Sequence, residues 1–129
     1  KDFAGGYATE AETKAAIHNV YKETGYVMDT HTAVASHVSR AYRKESGDSR
    51  KMLVASTASP YKFVRSVMSA IDDAYAQMDE FALIDELEKA SNMEVPCAIK
   101  EILHAEIRHT RECDADKMKD TVKDILEIR

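Results

Sequence analysis

Residues 52–63 read Met52-Leu53-Val54-Ala55-Ser56-Thr57-Ala58-Ser59-Pro60-Tyr61-Lys62-Phe63. Four apolar residues stand between a charged run and a loop of small residues, the pattern of a buried β-strand. Ser59 can accept from an amide of the next helix's first turn. Pro60 suits the first helical position, where a missing N–H costs nothing. The helix begun there continues at helical spacing through Val64, Val67, Met68, Ile71 and Tyr75. One or two strands cannot make a stable sheet alone. The expected fold is therefore a helix-dominated α/β fragment, with one or two short strands that belong to a parallel sheet completed elsewhere.

Working outward, Thr9 and Glu12 form a capping box for a first helix over Thr9 to Thr24. Ile17, Val20 and Tyr21 make its apolar face, and Gly25 stops it. A short apolar stretch, Tyr26-Val27-Met28, follows. A second helix starts at Asp29 or Thr30, buries Val34, Val38, Ala41 and Tyr42, and ends near Gly47. Beyond the central helix, others are read from Phe81, Ile84 and Leu87, then from Ile99, Ile102 and Leu103 behind Pro96. The last is read from Met118, Val122, Ile125 and Leu126, capped near Asp114. Glu106 to Glu112 can hold a short strand. The chain has no internal repeat, low-complexity segment or Pro/Gly-rich linker.

At 129 residues the chain is about one domain. It is 44% apolar and 32% charged, with only four Gly and two Pro, which suits a helix-rich globular domain rather than a disordered or collagenous chain. No apolar run approaches the roughly 18 residues of a membrane span. Residues 1–64 hold nine Lys/Arg against seven Asp/Glu, and residues 65–129 hold nine against sixteen. An acidic second half repels a phosphate backbone, so nucleic acid is not an expected partner. A small anionic ligand belongs with the first half. Two cysteines without a Cys-x-x-Cys spacing point to a reduced, cytoplasmic setting. The opening Lys1-Asp2-Phe3 has neither an initiator Met nor a signal-peptide pattern, and is expected to be interior to a longer chain.

Chemistry concentrates in two segments. Ser56, Thr57 and Ser59 would lie beyond the carboxyl end of the expected strand, where α/β folds bind ligands, next to a helix start that favours anions. The plain alternative is an ordinary strand–loop–helix junction. His31 and Thr32 fall in the first turn of the second helix, placed either to face a cleft or merely to cap. Lys62, just after Pro60, is a cleft-facing cation or a solvated charge. Its position does not supply the desolvation that a covalent lysine needs. Cys97, His104, His109 and Cys113 are zinc-type ligands, but their spacing lacks a close Cys pair, so no metal is expected. Asp79, Glu80, Asp85, Glu86 and Glu88 read as a solvated helix face. His18 and His37 carry no assigned role. Tyr7, Tyr21 and Tyr26 read as core and wall residues.

The run Gly25-Tyr26-Val27-Met28-Asp29-Thr30-His31-Thr32-Ala33-Val34, followed by Ser56-Thr57-Ala58-Ser59-Pro60-Tyr61-Lys62-Phe63, resembles the C-terminal part of threonine synthase. Gly5-Gly6-Tyr7-Ala8 and Arg108-His109-Thr110 support the resemblance, which becomes diffuse after about Asp72. Many family members have His-Pro-Ala-Lys-Phe where this chain has Ser59-Pro60-Tyr61-Lys62-Phe63. The resemblance implies a segment, residues 1–129, of a pyridoxal 5'-phosphate enzyme of fold type II. That enzyme is a carbon–oxygen lyase that converts O-phospho-L-homoserine and water to L-threonine and phosphate. It places Thr57 at the pyridine nitrogen of the cofactor, with Ser56 beside it, and makes His31, Thr32 and Lys62 candidates for substrate contact. It also implies that the Schiff-base lysine and the phosphate loop lie upstream, so the chain alone is expected to be inactive and not to bind the cofactor. An exposed sheet edge would then favour self-association. The alternative is a non-catalytic, helix-rich interaction module.

Overall fold

The computed structural model describes residues 3–128. Among these are α1 (Glu10–Thr24), α2 (Thr30–Ser46), α3 (Val64–Ile71), α4 (Glu80–Ser91), α5 (Cys97–Leu103) and α6 (Met118–Ile125). Short 3-10 turns span Pro60–Phe63, Asp73–Tyr75 and Ala115–Lys117.

The helix ends follow local chemistry. Thr9 and Glu12 make the reciprocal capping box at the start of α1, and Gly25, at φ +73°, ends it in the left-handed conformation that glycine adopts without strain. Asp29 caps α2 by accepting from the amides of His31 and Thr32. Ser59 accepts from the Tyr61 amide, with Pro60 first in the turn that leads into α3.

α1 packs against α2 and α3, and α3 packs against α4. Val64, Val67 and Met68 recur at helical spacing on α3 and are buried. They meet Ile17 of α1 and Leu83 and Leu87 of α4 in one core, closed at the side by Val27, Met28 and Val95. Burying each of the larger side chains contributes about 1.5–3 kcal/mol, so this three-helix centre supplies most of the cohesion. His18, mid-helix in α1, places Nδ1 3.2 Å from the Ile71 carbonyl and so ties α1 to α3.

The expected sheet is not there. Among the described residues none is in a strand, so the helix-dominated α/β expectation is corrected to an all-helical one. Met52 to Ala55 forms no ladder and is not buried, with Leu53 fully exposed at 100%. Its hydrophobicity marks a face that the described residues leave largely uncovered, and an apolar run cannot specify what covers it. Tyr26 to Met28 is an irregular connection, and Glu106 to Glu112 is irregular and exposed.

The second helix also differs from expectation. It buries Thr32 and Ala33, leaves Val34 and Val38 half-buried, and exposes Ala41 and Tyr42. The two exposed residues, with Val38 and Ser39, line an open groove of about 1160 Å³. Residues Ala4 to Tyr7 and Met52 to Ala55 form its other walls. Gly6 lies against α2 so closely that a Cβ there would stand 2.7 Å from Val38 Cγ1. The central helix stops at Ile71 rather than reaching Tyr75, because Asp72 leaves helical geometry and caps the following 3-10 turn.

Candidate functional site

The two chemistry-bearing segments meet at Asp29. The sequence shows this residue only as a helix start. In the fold it is 1% exposed and joins parts of the chain 27 residues apart. Its Oδ1 accepts from the His31 amide at 2.9 Å and the Thr32 amide at 3.2 Å. Its Oδ2 accepts from the Thr32 hydroxyl and, at 3.5 Å, from the Ser56 hydroxyl. Thr32 Oγ1 also lies 2.9 Å from Ser56 Oγ, so the two hydroxyls and the carboxylate form one polar cluster. Burial alone would raise the Asp29 carboxyl pKa. The Thr32 hydroxyl, the Thr32 and His31 amides and the His31 ring outweigh that and hold it below the usual carboxylate range.

His31 Nδ1 stands 3.3 Å from Asp29 Oδ1, and the His31 side chain is 61% exposed. The ring packs tilted against Phe63, with centroids 5.7 Å apart. Lys62 Nζ lies 5.5 Å from the centroid of the same Phe63 ring. His31 and Lys62 therefore share one exposed patch, with Phe63 between them. Thr32 does not join that patch, because its side chain turns inward to Asp29 and Ser56.

Thr57 is exposed on the irregular loop immediately after Ser56. A pocket of about 270 Å³ beside it is lined by Asp29, Ser56, Ala58 to Tyr61, and residues of the turn before α5. Tyr61 forms one wall of that pocket, and its hydroxyl donates to the Met93 carbonyl at 2.7 Å. Burial pushes the Tyr61 phenol pKa up. The tyrosine thus pins the loop to the α4–α5 junction, a link that pairs residues 32 positions apart and leaves no local trace in the sequence.

The remaining candidates stay apart from this cluster. Cys97 and Cys113 are exposed free thiols, and no three His, Cys, Asp or Glu side chains among the described residues could hold a metal ion. Every described lysine is exposed, Lys62 included. None has the desolvated setting that keeps an amine neutral and nucleophilic.

The family model described as threonine synthase, C-terminal, matches residues 32–124. The chain belongs to the threonine synthase C-terminal family. The match contains Thr32, Ser56, Thr57 and Lys62, while Asp29 and His31 lie just before it. The threonine synthase of Corynebacterium glutamicum is 35% identical over 82 residues, covering 64% of this chain and 17% of that protein. Threonine synthase-like 1 of Mus musculus is 38% identical over 71 residues, and its Homo sapiens counterpart 34% over the same length, each covering 55% of this chain. The chain spans 9% of these two mammalian proteins. It thus corresponds to a small part of each of these relatives. Among the described residues no helix is long and apolar enough to cross a membrane.

Proposed function

We propose that residues 1–129 are the C-terminal segment of a threonine synthase that converts O-phospho-L-homoserine and water to L-threonine and phosphate, with pyridoxal 5'-phosphate as cofactor. The observation that carries this reading is the joining of the two family-like motifs through Asp29, Thr32 and Ser56. Residues that resemble threonine synthase at two separate places in the sequence form one hydrogen-bonded cluster, as parts of a single cleft wall would.

The residues present fit one side of the cofactor. Thr57 offers an exposed neutral hydroxyl, flanked only by the small Ser56 and Ala58, so a planar ring can approach it. When bound, pyridoxal phosphate supplies the electron sink for the reaction. Thr57 would hold the ring nitrogen by a hydrogen bond without forcing its protonation, as a carboxylate would. Ser56 fixes the loop that presents Thr57 through its contacts with Thr32 and Asp29. His31 and Lys62 would face the anionic substrate, and Thr32 would act from behind by holding the two motifs together. The exposure of every described lysine supports placing the covalent lysine in the upstream part of such an enzyme. In this reading the groove along α2 and Met52 to Ala55 is the face against which that upstream part packs. The free thiols suit a cytoplasmic enzyme.

The test is a chimera. The matching C-terminal segment of the Corynebacterium glutamicum enzyme is replaced by this chain, and phosphate release from O-phospho-L-homoserine is measured. Release is expected from the chimera, and none from the enzyme lacking the segment or from this chain alone. Thr57→Val in the chimera should lower kcat at least about tenfold, the value of one hydrogen bond made at the reacting group. A folded, cofactor-loaded chimera without turnover would refute the proposal, as would turnover by the isolated chain.

A further inference from the structure

Capping α2 requires only one acceptor oxygen, and Asp29 Oδ1 already serves both amides of the first turn. An Asn or Ser would do that work. What capping does not explain is a carboxylate almost wholly withdrawn from water, with a histidine ring against it. A charge so placed is costly to bury unless it is fully engaged. Its second oxygen is engaged by Thr32 and Ser56. Its first faces His31 Nδ1 at 3.3 Å. The two atoms stand at ion-pair distance without an aligned hydrogen bond, and so close to a carboxylate a bare nitrogen lone pair is repelled, whereas an N–H is attracted. The contact therefore selects where the imidazole carries its proton. Phe63 supports the ring from another side, so it is held and not merely near.

We propose that Asp29 is a positioning residue that fixes the His31 imidazole with its proton on Nδ1, so that Nε2 is the ring nitrogen offered to the substrate. The inference rests on the reading of His31 as a substrate-facing residue. It deepens that reading by naming the atom that makes the contact and the group that sets its state. The cluster works as a relay of position. Thr32 and Ser56 hold Asp29, Asp29 holds His31, and the exposed ring carries the result to the patch beside Lys62. Asp29 itself is buried and acts through the His31 ring.

The experiment has two arms. In the first, long-range proton–nitrogen correlation spectra of the 129-residue chain are recorded at about pH 8.5, above the ordinary histidine range. His31 is expected to show a protonated Nδ1 and a bare Nε2. Asp29→Ser keeps a capping oxygen but draws it back from the ring, and should shift His31 toward the opposite tautomer while the circular dichroism of the helices is unchanged. The same tautomer in both proteins overturns the inference. Should Asp29→Ser fail to fold, Phe63→Leu leaves the carboxylate in place, and a protonated Nδ1 is still expected; a bare Nδ1 there overturns the inference as well. This arm needs neither cofactor nor substrate. In the second, Asp29→Ser and His31→Gln are placed in the active chimera. Asp29→Ser is expected to lower kcat more than it raises KM, with the larger loss for His31→Gln. A shifted tautomer with unchanged turnover in both variants would leave the positioning intact and overturn the reading of His31 as substrate-facing.

Discussion

Tyr61 offers a direct measurement of how firmly the loop that carries Thr57 is anchored. Its ring is buried in the core and its hydroxyl donates to the Met93 carbonyl. Removing a buried aromatic ring leaves a cavity that helical neighbours fill only in part, so Tyr61→Ala should cost about 3–5 kcal/mol. Tyr61→Phe keeps the ring and deletes only the hydrogen bond. The hydrogen bond is only part-buried, and its loss should cost near 1 kcal/mol. A domain of this size has only about 5–15 kcal/mol of net stability, so the alanine variant forfeits a large share and the phenylalanine variant a small one. Urea unfolding followed by circular dichroism at neutral pH measures both, with equal slopes expected if the unfolded states match.

The same residue predicts a pH effect of definite sign. Burial raises the folded phenol pKa above its unfolded value of about 10, so the native state holds that proton more tightly. The contribution is complete below pH ~10 and is lost as pH rises through the folded pKa. The stability gap between the native chain and Tyr61→Phe should therefore narrow in strong alkali. A cost below about 1 kcal/mol for Tyr61→Ala, or equal costs for the two variants, would mean that the ring does not seat the loop.

Gly6→Ala should lift residues 4–8 from α2, because its Cβ would meet the stiff, β-branched Val38 at 2.7 Å. Gly5→Ala, with open space around it, should change nothing. Hydrogen exchange at these amides separates the two, and identical exchange in both variants would refute the close approach. Ending the chain after His104 should move the melting temperature by less than about 2 °C, since no described residue beyond Leu103 belongs to the core or packs against it. A larger fall in calorimetry would show that residues 105–128 stabilise the helical centre.

Much of the helical framework was legible because its determinants are local. The Thr9–Glu12 box, Gly25, Gly47 and the Ser59-Pro60 start each act within one helical turn, and the fold uses them all. The core spacing of Val64, Val67 and Met68 was equally local. The expected sheet fails because the apolar character of Met52 to Ala55 does not by itself bring burial within a strand. Leu53 is instead fully exposed, and the groove beside it is apolar without being closed. Hydrophobicity shows that a surface tends to leave water; it does not identify the partner or the backbone geometry that meets it. Ala41 and Tyr42, read as core, lie on this same open face.

The site divides in the same way. Residue type and motif make Ser56, Thr57, His31, Thr32 and Lys62 candidates, but they do not show how these residues are related to one another. Thr32 proved to be an internal tie rather than part of the exposed patch, and that role depends on Ser56, 24 residues away. Asp29 carries no further signal in the sequence because its visible role, capping α2, is sufficient to explain an aspartate at that position. Only the burial of its carboxylate and the arrival of Ser56 and the His31 ring turn a cap into a junction. Capping holds a single helix end; an acceptor shared between a helix start and a distant loop fixes two motifs relative to each other. That is the property a cleft wall needs when its cofactor and substrate contacts come from separate parts of the chain.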